Sequence, residues 1–410
     1  MKKYDVIIIG GGPAGIFAAI HCAKFGLNVA ILEKNKTYGR KLLITGGGKC
    51  NLTQAQSVES FIYHYGTNSN FVKPCLYAFS NVDFRKFLHK NKLSTIAVDN
   101  GKVFPQSLKA SDVLTTLMNL CHKYHVKLYT ETDVESISKK DDFFEIQTNH
   151  DTFYSNYTVI STGGVSFPHT GSTGAGHIFA KKFNHKIRST KFALAPIWIK
   201  NFELAEFSGL SFENLSFTQW RNHKKMGQFS GEVLITHRGI SGPAVMNASR
   251  YMVKGDIVKL NFIGSSPEAD REALIDILSQ GQKVLVRTSL SQFKLPKRLM
   301  DYFLSVAGID DQLKCAELKK ENRSKLINLL TACEMVVKAV GSETTAMATA
   351  GGVSLKEVNP KTMASRIVEN LYFAGEVLDV DGDTGGYNIQ FAVSSGFLAG
   401  ESIAKKEGKC

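Results

Sequence analysis

The chain has 410 residues, 43% of them hydrophobic and 21% charged. That composition can fill a large core and excludes disordered, collagen-like and disulfide-scaffold classes. Net charge is +13, concentrated in residues 1–190, which carry 23 basic and 13 acidic side chains, whereas residues 346–410 carry 6 and 8. At about 150 residues per structural unit, two or three units are expected.

The chain opens with Met1-Lys2-Lys3 and the apolar run Tyr4–Ile9. The run is too short for a signal peptide and meets glycines, with no cleavage site of small residues. No apolar stretch reaches the roughly 18–20 residues that span a bilayer, so a cytoplasmic protein without membrane association is expected. The seven cysteines are widely spaced, with no Cys-x-x-Cys. This argues against a disulfide framework and a structural zinc, and no metal is expected. All but Cys50 read as small buried hydrophobes.

Tyr4–Ile9 reads as a parallel strand buried on both faces. Gly10-Gly11-Gly12-Pro13-Ala14-Gly15 follows, then a helix-length stretch from Ile16 to Phe25, a stop at Gly26, and a second strand, Val29–Leu32, ending at Glu33. Gly10 permits the tight turn, Gly12 lets backbone approach a pyrophosphate, and Gly15 allows close helix–strand packing. The helix N-terminus offers unpaired N–H groups to the phosphates. Glu33 can accept hydrogen bonds from an adenosine ribose, and an acid there argues against a 2′-phosphate. The full order of strand, glycines, helix, strand and acid makes this a dinucleotide site rather than a chance Gly-rich turn.

A simple NAD dehydrogenase would continue the alternating pattern. Here Gly39–Thr53 instead carries three consecutive glycines in a basic loop, which suggests backbone close to an anionic ligand. Val159–Gly164 ends a short strand in Thr-Gly-Gly. Near the C-terminus, Asn370–Glu376 is another strand ending in Gly-acid, followed by Gly382–Gln390 and an apolar helix to about Ile403.

With Ser161–Gly176, Gly231–Ser249 and Thr349–Glu357, these segments resemble the BaiN/RdsA (YhiN-like) family of FAD-dependent oxidoreductases, within the two-dinucleotide-binding-domain flavoproteins. The resemblance implies an α/β fold, a Rossmann-like FAD-binding domain interrupted by an inserted domain, with FAD bound non-covalently. It implies that Gly12, Pro13, Ala14 and Gly15 face the pyrophosphate, and that Glu33 and Lys34 face the adenosine side. Arg40 and Lys41 would lie along the ribityl–phosphate chain; otherwise they are a solvated charge pair. Cys50, Asn51 and Thr53 would lie near the isoalloxazine, Val134 would offer backbone to the adenine, and Thr162 and Gly163 would cover the adenosine end. Gly375, Glu376, Tyr387, Asn388 and Ile389 would approach the ribityl chain and ring, unless Asn388 is a plain helix cap. A helix starting near Tyr387 would point its N-terminus at the N1/O2 edge of the ring, where reduced flavin carries negative charge.

FAD-domain segments at both ends require an insert in the middle. The expected division is 1–190, an inserted substrate or cap domain at 191–345, and 346–410. Within the insert a β-rich part, about 191–264, precedes a helical part, about 265–335. Strand-like pieces are Phe192–Ile199, Gly231–Thr236, Asp256–Phe262 and Lys283–Arg287. Helices are expected from Ser266-Pro267 to about Ser279, stopping at Gly281, after Leu295-Pro296, and over Ala316–Leu330. His237-Arg238-Gly239 breaks strand into helix, as a substrate-facing tip or a plain surface turn.

Flavin reduction of an activated C=C needs a proton donor opposite the flavin. Cys50, Tyr387 and His169 are the candidates, with a purely structural contact as the alternative for Cys50. The resemblance implies one of two substrates, uridine in ribosomal RNA, reduced to dihydrouridine, or a steroid-like bile-acid enone. The basic N-terminal part favours ribosomal RNA or a precursor, because phosphate contacts supply much of RNA affinity. No recognisable RNA-binding module is present. A non-catalytic flavin module and a flavin dehydrogenase or oxidase remain as alternatives. No second nicotinamide fingerprint exists, so either NADH or NADPH docks transiently over the flavin or the electron donor is not a nicotinamide. No stable protein partner is expected.

Overall fold

The computed structural model describes residues 2–98, 100–264, 266–280 and 283–409. Two compact units form, Met1–Ala193 with Glu343–Cys410, and Leu194–Ser342.

The first unit is built on a seven-stranded sheet. Its centre is Lys2–Ile9, flanked in parallel by Val29–Leu32 and Thr152–Ile160. Lys127–Tyr129 extends one side, and Leu371–Phe373 pairs in parallel with the end of Thr152–Ile160. The start of Thr152–Ile160 instead carries an antiparallel meander with Phe143–Thr148 and Val134–Lys140. Val6, Ile7 and Ile8 are fully buried, as an apolar run covered on both faces must be. The first helix, Pro13–Lys24, buries every residue from Ala14 to Ala23. The last helix, Tyr387–Lys406, packs against it through Gly396 and Gly400, where a Cβ would stand 2.2 Å from Ala14 O and 2.8 Å from Ala18 O. Two small residues four apart let these backbones touch.

The second unit is a closed antiparallel barrel with helices. Strand order is Ile197–Ile199, Gly239–Ser241, Lys224–Thr236, Ser211–Arg221, Ile257–Asn261 and Cys333–Val340, closed by Ile197 pairing with both Ile240 and Val340. Phe217, Val233, Val258 and Leu260 are fully buried. The helices Pro267–Gln280, Val286–Leu290, Lys297–Val306 and Lys320–Thr331 come between the fifth and sixth barrel strands and share one apolar cluster with the barrel.

Several local expectations change. The stretch Phe192–Ile199 is two strands, Ile187–Ala193 and Ile197–Ile199, interrupted at Pro196, which has no N–H for a ladder. Ile187–Ala193 pairs with Ala348–Val353 in the first unit. Lys283–Arg287 is not a strand: Leu285 makes one isolated bridge to Lys314, and a helical turn follows that buries Val286 and Leu290, four apart, on one face. His237–Arg238 turns the chain into the short return strand Gly239–Ser241, with helix only from Pro243, and Arg238 stacks on Trp198 at 3.9 Å. The helix expected from Ala316 starts at Lys320, after a turn at Cys315–Glu317. The stop expected at Gly281 lies outside the described residues.

Candidate functional site

A cleft of about 1280 Å³, including its solvent-open mouth, runs along the C-terminal edge of the parallel strands of the first unit. At one end stands the glycine turn. Gly10 has φ +101°, and a Cβ there would lie 2.7 Å from Ser161 O. Gly15 would clash harder, 2.1 Å from Gly10 O, so the first helix sits directly on the strand. Gly12 is different: a Cβ there meets nothing within 4 Å. It lines the cleft, so a side chain would project into the open space there. Pro13 takes the first helical position, where no N–H is missed.

Glu33 is 8% exposed at the end of the second strand. Its Oε2 accepts the Gly11 N–H at 2.8 Å, and its Oε1 accepts from Asn35 N and Nδ2 at 2.9 and 2.6 Å. The acid therefore braces the glycine turn as well as lining the cleft. Lys34 donates to Thr173 Oγ1 at 2.8 Å and Arg40 to Asn35 Oδ1 at 2.7 Å. Thr162, Gly163 and Val134 also line this end.

Further along, Lys41 Nζ donates to Glu376 Oε2 at 2.6 Å and Ser166 Oγ at 2.7 Å. Glu376 Oε1 accepts from Thr349 N at 2.8 Å and Ser166 Oγ at 3.1 Å. The pair is half-buried, and both residues line the cleft. Gly375, at φ +75°, brings the chain against Ala14. The last helix begins at Tyr387 behind Gly386, whose φ is +98°. Asn388 fastens the preceding loop, accepting from Gly382 N at 2.8 Å and donating to Gly382 O at 3.0 Å, and it lines the cleft with Ile389.

An open flank at Gly12, a helix N-terminus, three cations and apolar walls such as Val134, Val380 and Phe391 fit an elongated dinucleotide carrying phosphate in its middle.

Other expected residues lie outside the lining. Cys50 is fully buried at φ +58°. Burial pushes its thiol up to about 11, with the Thr45 hydroxyl pulling the other way. A thiol so placed is poorly matched to proton donation near neutral pH, which weighs against a catalytic role. Thr53 is also buried, and neither Asn51 Oδ1 nor Thr53 Oγ1 has a partner. His169 is exposed with its ring against Phe167. Tyr387 is 3% exposed; its hydroxyl accepts from Gln56 Nε2 at 2.7 Å. Burial holds its phenol well above the usual range, Asp383 adds to that, and the Gln56 contact opposes it.

Sequence reasoning missed Asn35, Ser166 and Thr349. Ser166 and Thr349 lie in segments that carried the family resemblance, so position within those motifs was the available signal. Asn35 carried none, since its role depends on partners brought in by the fold.

The HI0933-like protein Rossmann domain matches residues 4–402. The Escherichia coli (strain K12) ribosomal RNA dihydrouridine synthase is 30% identical over 403 residues, covering 98% of each chain. The Clostridium scindens 3-dehydro-bile acid delta(4,6)-reductase is 30% identical over 408 residues, 97% of this chain and 98% of that protein. Among solved structures, the 3-ketosteroid-delta4-(5alpha)-dehydrogenase from Rhodococcus jostii RHA1 shares the fold, with TM-score 0.53 and 14% identity over 98% of this chain and 97% of that one. No described helix is long and apolar enough to cross a membrane. The chain belongs to the HI0933-like Rossmann family and is an FAD-dependent oxidoreductase.

Proposed function

We propose that the chain binds FAD in this cleft and reduces uridine in ribosomal RNA to dihydrouridine. The observation that carries the reading is the cleft itself, running from the braced glycine turn to the N-terminus of the last helix. Similarity along nearly the full length, at 30% identity, to a ribosomal RNA dihydrouridine synthase supports the substrate.

Bound FAD supplies two electrons and a proton to one carbon of a C=C conjugated to a carbonyl. The chain's residues do the rest. The N–H groups behind Gly12 meet the pyrophosphate charge, with Pro13, Ala14 and Gly15 packed beneath. Glu33 keeps the turn in place and has one acceptor site left, on Oε2, for the ribose. Val134, Thr162 and Gly163 enclose the adenosine end, and Lys34, Arg40 and Lys41 neutralise phosphate. Glu376 and Ser166 fix the Lys41 ammonium in one position, so little side-chain entropy is lost on binding. The helix start at Tyr387–Ile389 stabilises negative charge at the far end.

The same identity to a bile-acid reductase supports a second reading, a steroid-like enone. Charge favours RNA, because a small apolar substrate needs no cationic field. Lys36, Arg40 and Lys49 are exposed on the segment that supplies one wall of the cleft. A reduced nicotinamide is the proposed electron donor, the unit 194–342 the proposed substrate-binding part, and the cytoplasm, where ribosomes are made, the proposed location. Mass spectrometry of ribosomal RNA nucleosides from cells lacking the gene tests the reading. Loss of one dihydrouridine is expected, and an unchanged nucleoside profile would move the assignment to a small enone.

A further inference from the structure

His64 and Asp383 stand 319 positions apart in sequence and meet beside the start of the last helix. His64 Nδ1 lies 2.9 Å from Asp383 Oδ2, and Asp383 N donates to His64 O at 3.0 Å, so side chain and backbone both tie the two segments. The imidazole stacks on Tyr387, with ring centroids 4.1 Å apart and planes 23° apart. Tyr65 donates to Tyr387 O at 2.8 Å, fixing the other side. With Nδ1 engaged by Asp383, the edge left over is Nε2, on a side chain that is 34% exposed. Asp383 lies within five residues of Val380 and Asn388, which line the cleft. Next to His64, the ring of Tyr63 is 80% exposed, an aromatic face available for stacking a splayed base.

A carboxylate on Nδ1 sets the tautomer and orientation of an imidazole and leaves Nε2 to exchange protons. The other groups near this site are poorly suited to that task. Tyr387 is buried and holds its proton far above neutrality, while Cys50 is sealed off.

We propose that His64, oriented by Asp383, is the catalytic proton donor, an inference that rests on the FAD-dependent reduction assigned above. The substrate C=C receives two electrons and a proton at one carbon from the reduced cofactor, and a proton at the other from His64 Nε2. The π bond is lost and two C–H bonds form. The imidazole leaves neutral and is reprotonated from water, and a reduced nicotinamide returns two electrons to the cofactor. Among the described residues, the charged or titratable groups touching the ring are Asp383 from the loop and Tyr387 from the last helix.

The test uses FAD-loaded protein reduced by dithionite and mixed anaerobically with ribosomal RNA from cells lacking the gene, or with a 3-keto-Δ4 steroid. His64→Gln should keep FAD and slow reoxidation by about 10²-fold or more. Added imidazole should restore part of the rate. Asp383→Asn should give a smaller loss. Independently of turnover, nitrogen NMR of the FAD-free protein should show His64 carrying its proton at Nδ1, facing Asp383, and Asp383→Asn should change that tautomer. A His64→Gln rate within about threefold of wild type, loss of FAD without imidazole rescue, or a wild-type imidazole with its proton only on Nε2 overturns the proposal alone. Wild-type protein reoxidised by neither substrate overturns the functional reading and this step with it.

Discussion

Glu33 accepts the Gly11 N–H at 2.8 Å, so the acid at the end of the second strand holds the glycine turn that begins at the end of the first. Glu33→Gln sets an NH₂ group against either the Gly11 N–H or the Asn35 donors. FAD affinity should fall by roughly 1–3 kcal/mol, the range for a lost charge-assisted hydrogen bond. The Tm of the FAD-free protein should fall too, because the brace exists without ligand. Titration calorimetry and thermal melts check both, and an unchanged FAD-free Tm would remove the bracing role.

Gly12 and Gly15 should separate binding from stability. A Cβ at 12 meets nothing, whereas one at 15 stands 2.1 Å from Gly10 O. Gly12→Val should abolish the yellow colour yet leave the FAD-free Tm within a degree or two. Gly15→Val should lower both, through the backbone clash. FAD retained by Gly12→Val would put the cofactor elsewhere.

Lys41 and Glu376 form a half-buried pair, so their effects should not add. Lys41→Met and Glu376→Gln should each weaken FAD binding, and the double variant should lose less than both together, with a coupling of about 0.5–3 kcal/mol. Additive losses in the double-mutant cycle would show two independent contacts.

His21 lies among Phe17, Phe79, Phe87 and Phe397, with neither ring nitrogen partnered. Burial, with Lys24 adding, holds its pKa at about 3 against an ordinary 6.5. The unfolded chain therefore takes up a proton below about 6.5 that the folded one refuses. Stability should fall as pH drops from 6.5 toward 3, by about 2 kcal/mol at pH 5 from this group. His21→Leu should narrow the gap between pH 7 and pH 5 in urea unfolding. An unchanged gap would mean the ring is solvated.

The glycine turn, the acid at 33 and the start of the last helix at 387 were legible because each is local, with turn chemistry and periodicity set within a few residues. What the resemblance added at Lys41, Val134 and Glu376 needed long-range placement that no spacing supplies. The barrel was not legible as a barrel, since Ile197 must pair with Val340 to close it. Lys283–Arg287 misled because a short apolar run suits a strand or a buried helical turn equally well. The bracing role of Glu33 has no sequence signal, because its Gly11 and Asn35 contacts exist only once the turn has folded. His64 gave no signal, since a histidine takes its meaning from the carboxylate that the fold sets beside it.

The most direct measurement of the central claim is reconstitution. Purified FAD-loaded protein, supplied with a reduced nicotinamide under anaerobic conditions, is incubated with ribosomal RNA from cells lacking the gene, and nucleosides are read by mass spectrometry. One uridine should gain two hydrogens and appear as dihydrouridine, and protein carrying Gly12→Val should leave it unchanged. RNA that stays fully unsaturated, while the same protein reduces a 3-keto-Δ4 steroid, would contradict the RNA assignment.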